Sequence, residues 1–269
     1  MSDLSPLRLW RRFLALPNES RAKTLGVAFM VATVSALAVS VTSVTLKPRQ
    51  EAHLAAAREA RLAEMIAALP GMGDILRETG ADTLDAVVVD LTSGQIAQDV
   101  DAAGFDFLAA QTDPAQTVAL SPAQDIATIG RRPTLAPVYL LRGDGGLVLV
   151  VLPVYGTGYQ STLRAYLALS ADLATIAGLS IYEQAETPGL GSRITDPAWQ
   201  ATWAGTETRG PSGDIVISLV RGAANGPTEI DGISGATRSA TGVVQMVQFW
   251  LGPDGFGPFL SSLRLGGVK

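Results

Sequence analysis

The chain of 269 residues contains no cysteine and one histidine, His53. Without cysteine there are no disulfides, no thiolate nucleophile, no Cys-ligated zinc and no Cys-ligated iron–sulfur cluster. With one histidine, a multi-histidine metal site is excluded, and a Ser-His-Asp triad would have to be built on His53 alone. Aromatic residues make up only 6%, and the net charge is −5, so neither base stacking nor phosphate attraction points to nucleic acid. Charged residues are also sparse, at 17% against 47% hydrophobic, which favours a sizeable core over disorder. Redox chemistry in such a chain must come from an organic cofactor.

The first feature present is an uncharged run, Leu25 to Val44. Its length matches the roughly 20 residues that cross a hydrocarbon core, and it exceeds the apolar part of a signal peptide. It predicts a single N-terminal transmembrane helix over 24–46. Ahead of it lie Arg8, Arg11, Arg12, Arg21 and Lys23 against Asp3 and Glu19, a net of +3. The positive-inside rule then places segment 1–23 in the cytoplasm and the large domain outside it. In a Gram-negative bacterium that is the inner membrane and the periplasm. Residues Glu51 to Leu69 are rich in helix formers with apolar residues near helical spacing, and Pro70-Gly71 stops the pattern. A connecting helix over 47–70 is expected, with His53 as a solvated residue near its start.

Beyond it, 71–269 reads as an extracytoplasmic α+β domain with an antiparallel sheet. Strands are expected from Thr83 through Val100 with a T-S-G turn, then over Val138–Arg142, Leu147–Val154, Ser161–Leu169, Thr175–Glu183 and Ile215–Val220. The segment R-G-D-G-G-L reads as a hairpin turn. Residues 101–132 read as loop, and 242–251 as helix.

Two stretches could carry chemistry. The first is E-T-P-G-L-G, Glu186 to Gly191, where proline and glycine either turn a corner or let a ligand approach the backbone. The second is D-G-I-S-G-A-T-R-S-A-T-G, Asp231 to Gly242. It reads equally as the capped start of a helix and as an anion site, with free N–H groups, small residues and Arg238 to pair with a phosphate. It contains neither a Walker loop nor a dinucleotide fingerprint.

Asp231 followed by Ser234, Gly235, Ala236 and Thr237 resembles the motif of proteins that carry FMN covalently, the flavin phosphate being joined to the threonine by a flavin transferase. Further along the chain, L-K-P-R-Q after the apolar run, G-x-G with S-T-L and Y-L-A-L at 156–169, E-T-P-G-L-G, D-P-A-W-Q-A-T-W-A-G at 196–205 and the tail F-W-L-G-P-D-G-F-G-P-F-L occur in order. Together they resemble the NqrC family of the Na⁺-translocating NADH:quinone reductases, and more distantly the RnfG family of the Rnf complex, a ferredoxin:NAD oxidoreductase. The resemblance implies an electron-carrier subunit, inactive alone, integral to the membrane and assembled with other subunits. Electrons would arrive from an iron–sulfur centre and leave for FMN on another protein of the complex. It implies FMN on Thr237, with Ser234, Gly235 and Ala236 holding the ribityl phosphate, and Glu186, Thr187, Leu190 and Gly191 lining the flavin. It also implies that the transferase reads Asp231 and the small residues that follow it. The chain departs from the family pattern in three places. Tyr159-Gln160-Ser161 stands where the family has Leu-Trp-Ser, so Tyr159 is the aromatic residue available to the flavin; Gln184 replaces a histidine, and Thr206 a basic residue. The rival reading is an exported, unmodified ligand-binding domain.

Overall fold

The computed structural model describes residues 15, 17, 20, 21, 23–37, 40, 83–143 and 145–266. The chain divides into two compact units, 1–59 and 60–269. In the first, residues 23–37 are helical. Among the described residues no helix is long and apolar enough to cross a membrane. The span expected over 24–46 runs past the described residues. The connecting helix over 47–70 and residues 71–82 lie wholly outside them.

The second unit is built on a five-stranded antiparallel sheet. Its strands are β1 (Thr83–Asp90), β4 (Leu135–Gly143), β5 (Gly146–Thr157), β6 (Thr162–Ser170) and β7 (Ile176–Glu183), hydrogen-bonded in that order. The central strand β5 is buried along almost its whole length, which explains its continuous apolar text. β6 alternates instead, with Leu163, Ala165 and Leu167 in the core and Arg164 and Tyr166 on the other face. Gly143 pairs with Gly146 across the tight turn expected between β4 and β5, and Gly146 has φ +111°. The β4 ladder ends at Val151, so Pro153 sits where β5 pairs only with β6. A proline there removes no bond to β4.

Two expected strands differ. After β1 the chain turns at Asp90, whose carboxylate accepts the amides of Thr92 and Ser93 at 2.8 Å. It then makes only an isolated bridge from Ile96 back to Val89. The segment read as loop holds α1 (Phe107–Thr112), a 3-10 turn at Pro114–Gln116 and the short pair β2 (Thr117–Ala119) and β3 (Arg131–Pro133). The last expected strand shrinks to β8 (Ser218–Val220), which pairs parallel with β9 (Glu229–Asp231). The domain is therefore not wholly antiparallel.

Helices α2 (Pro197–Ala201), α3 (Thr237–Leu251) and α4 (Gly257–Arg264) complete it. α3 begins five residues earlier than its apolar run and is buried on most of its surface. It lies directly against the end of β5. A Cβ on Gly242 would meet the carbonyl oxygen of Thr157 at 2.7 Å, and one on Gly156 would meet Met246 Cβ at 2.9 Å. The Trp250 indole donates to the Tyr155 carbonyl oxygen at 2.7 Å inside a cluster with Phe249 and Phe256. This packing fixes where α3 starts, and with it the position of Thr237.

Candidate functional site

The motif stretch is built residue by residue into a turn between β9 and α3. The Asp231 carboxylate accepts the Ala224 amide at 2.7 Å, and its backbone carbonyl accepts the Trp199 indole at 2.8 Å. A side chain on Gly232 would run into the Val220 carbonyl. Ile233 is buried, while Ser234 is exposed and its carbonyl accepts from Arg193 Nη1 at 3.2 Å. Gly235 takes φ +81°, which an L side chain disfavours. Ala236 is the buried N-cap, and Thr237 is the exposed first residue of α3. The helix has no side-chain cap at this end, so its first N–H groups and dipole favour an anion.

Beside this helix start lies an open cavity of about 300 Å³, lined by Tyr159, Thr187, Leu190, Gly191, Gly235, Ala236, Thr237, Arg238 and Ser239. That volume is at the lower end for small-molecule sites. Tyr159 and Leu190 are both half exposed, at 52% and 51%, and give it apolar walls. The Arg238 guanidinium stands 5.0 Å from the centre of the Tyr159 ring. Of the residues read from the sequence, the structure brings Tyr159, Thr187, Leu190, Gly191, Gly235, Ala236 and Thr237 together here. Glu186, Ser234 and Asp231 are not in the lining.

Glu186 is 4% exposed and turned inward. Its Oε1 accepts the amides of Gln160 and Ser161 at 3.0 Å each and the Ser161 hydroxyl at 2.8 Å. Its Oε2 accepts the Tyr159 amide at 3.2 Å and the Ser239 hydroxyl at 2.6 Å. Five donors thus clasp one carboxylate, joining the β5–β6 connection to the first turn of α3. Two glycines make room for it. A Cβ on Gly158 would fall 2.6 Å from Oε1, and one on Gly191 would fall 2.6 Å from Ser239 Oγ and 2.9 Å from Oε2. In the rest of E-T-P-G-L-G, the Thr187 hydroxyl donates to Gln160 Oε1 at 3.2 Å, and Gly189 turns the chain at φ +73°. The three departures from the family pattern also have places. Gln184 Oε1 accepts the Glu186 amide at 2.6 Å. Buried Thr206 bonds through its backbone to Trp203 and Ile176. Gln160 and Tyr159 serve the clasp and the cavity wall.

Burial alone would raise the Glu186 pKa, but the Ser239 hydroxyl, the Gln160 amide and both donors of Ser161 outweigh it and hold the carboxyl below its usual 4.5. A carboxyl with a depressed folded pKa stabilises the fold above its unfolded pKa and loses that contribution as pH falls through the folded value. The urea midpoint should therefore drop as pH falls from the ordinary glutamate range to below it. Asp90, Asp113 and Asp172 are shifted the same way, so the difference between wild type and Glu186→Gln isolates this group. Parallel titration curves for the two proteins would mean that Glu186 carries no such linkage.

Sequence reading did not place Ser239, Ser161 or Gly158 in the site. Their partner Glu186 lies 53 residues from Ser239 and 25 from Ser161, and no local pattern announces such a contact.

Fold and site define an FMN-binding domain. Residues 158–252, from the connection after β5 to the C-cap of α3, match the family of that description. The likeness to known proteins extends over nearly the whole chain. The NqrC protein of the Na⁺-translocating NADH-quinone reductase of Pseudomonas aeruginosa is 41% identical over 256 residues, covering 93% of this chain and 98% of that protein. The protein of the same name from Yersinia pestis is 37% identical over 257 residues, with 94% and 96% covered. A crystal structure of Shewanella oneidensis NqrC matches with a TM-score of 0.64 at 32% identity, over 72% of this chain and 88% of that one. The chain belongs to the NqrC family of the Na⁺-translocating NADH-quinone reductases.

Proposed function

We propose that this chain is the FMN-carrying electron-transfer subunit of a Na⁺-translocating NADH:quinone reductase, with FMN esterified through its phosphate to Thr237 Oγ1. The bound flavin supplies the redox chemistry; the protein supplies its position and surroundings. One observation carries the choice of residue. Thr237 is exposed, opens α3 and lines the cavity, and no hydrogen bond of its hydroxyl is seen among the described residues. The competing hydroxyls are occupied or displaced. Ser239 is buried and donates to Glu186, Thr241 donates to the Thr237 carbonyl at 2.8 Å, and Ser234 lies outside the lining.

The residues present suit FMN. The uncapped helix start and Arg238 suit its phosphate, and Leu190 offers apolar area to the isoalloxazine. A flavin transferase acting on the Asp231–Thr237 turn, where Ser234, Gly235 and Thr237 are exposed, is the maturation partner, and the other reductase subunits are the functional ones. The uncharged run Leu25–Val44 with its +3 flank supports a single span over 24–46 in the bacterial inner membrane, with the N-terminus cytoplasmic and the domain of 71–269 periplasmic. Peptide mass spectrometry of the chain purified from its native membrane tests the attachment. FMN is expected on the peptide containing Thr237, and FMN on any other peptide, or on none, would refute it.

A further inference from the structure

We propose that Arg238 is the phosphate clamp of this site and that Tyr159 holds it in place; this rests on the reading of Thr237 as the FMN-bearing residue. Arg238 follows Thr237 in the first turn of α3, and its guanidinium stands over the Tyr159 ring at 5.0 Å. Among the described residues that ring is its only partner; no carboxylate pairs with it and no acceptor takes its N–H groups. Acidic residues outnumber basic ones in this chain, 25 to 20, so the lack of an anionic partner is not forced by composition.

The contact with the ring ties none of the guanidinium's N–H donors to an oxygen acceptor. Those donors radiate in the guanidinium plane and stay free for an anion. The uncapped start of α3 favours an anion at the same end of the helix. A phosphodiester on Thr237 carries one negative charge and two non-bridging oxygens, which suits a fork of N–H donors. Tyr159 is a firm support because its own amide is tied to Glu186 at 3.2 Å. The clamp thus runs from a buried carboxylate through a half-exposed ring to a guanidinium beside the attachment residue. A lysine would keep the charge but lose the fork of N–H donors.

The test uses the full-length, flavin-bearing protein and the variants R238A, R238K, Y159F and Y159A. All four change side chains that are exposed, so folding is retained. The readouts are the visible circular dichroism of the flavin and the ³¹P resonance of its phosphodiester. R238A and R238K should lose the induced dichroism and shift the phosphorus resonance. Y159F, which keeps the ring face, should match wild type, and Y159A should behave as R238A does. The double variant R238A/Y159A should be no worse than R238A alone, since the ring acts through the arginine. Wild-type dichroism and phosphorus resonance in R238A would overturn the clamp. So would a change in Y159A with none in R238A, which would mean that the ring touches the flavin itself. A wild-type chain without flavin on Thr237 would instead remove the reading on which the clamp rests, and that outcome is recognised before any variant is made.

Discussion

Thr237→Ala is expected to abolish covalent flavin completely and to leave the domain as stable as before. The phosphoester needs an oxygen at this position, and alanine has none. The fold does not need that oxygen. Thr237 is exposed, it is the first residue of α3, and its hydroxyl makes no hydrogen bond seen among the described residues. Alanine is a good helix former, so the change in stability should stay within about 0.5 kcal/mol. The denatured T237A band should then be dark under ultraviolet light, while its urea midpoint matches wild type. Ser239→Ala and Thr241→Ala serve as controls. Both remove a hydroxyl from the same helix turns, yet each hydroxyl already donates elsewhere, to Glu186 and to the Thr237 carbonyl. Both controls should stay fluorescent. A fluorescent T237A band would show that the flavin sits on another residue.

The parts of this structure that were legible in the sequence are those governed by local rules. β4 to β7 announce themselves as apolar runs separated by short turns, and the β4–β5 turn falls where R-G-D-G-G-L put it. The start of α3 was not legible. Thr237 to Gly242 is short in helix formers, and Gly242 reads as punctuation. In the structure that glycine lies inside the helix because backbone atoms of Thr157 and Gly158 press against it. Tertiary packing has overridden propensity there. The pair β8 and β9 was only half visible, since three-residue strands leave no period to detect. The turn that presents Thr237 was legible as a motif, because its neighbours in space are its neighbours in the chain. The role of Glu186 was not, because every donor it serves lies 25 to 53 residues away. Along the chain it is a residue facing a ligand; in space it is a clasp behind the cavity wall.

Glu186→Ala should therefore cost the domain stability, and not only alter a flavin contact. Removing the carboxylate strands three backbone amides, Tyr159, Gln160 and Ser161, and two hydroxyls, Ser161 and Ser239. Hydrogen bonds to a charged acceptor are worth about 1.5–3 kcal/mol each, but the connection at 159–161 is partly exposed and water can replace some of them. A net loss of about 3 kcal/mol is a reasonable scale, enough to move a denaturation midpoint well outside error. Glu186→Gln separates geometry from charge. Its amide oxygen can take the three donors on Oε1, but its NH₂ group then faces the Tyr159 amide and the Ser239 hydroxyl. The hydroxyl can reverse and accept; the amide N–H cannot. The glutamine variant should lose about 1–2 kcal/mol, less than alanine. Glu186→Asp keeps the charge but is one methylene too short to reach both sides, and should fall between wild type and alanine. In urea denaturation the midpoints should run wild type, then glutamine, then alanine. An alanine variant as stable as wild type would mean that these five bonds contribute nothing net and that the start of α3 is positioned by its core packing alone.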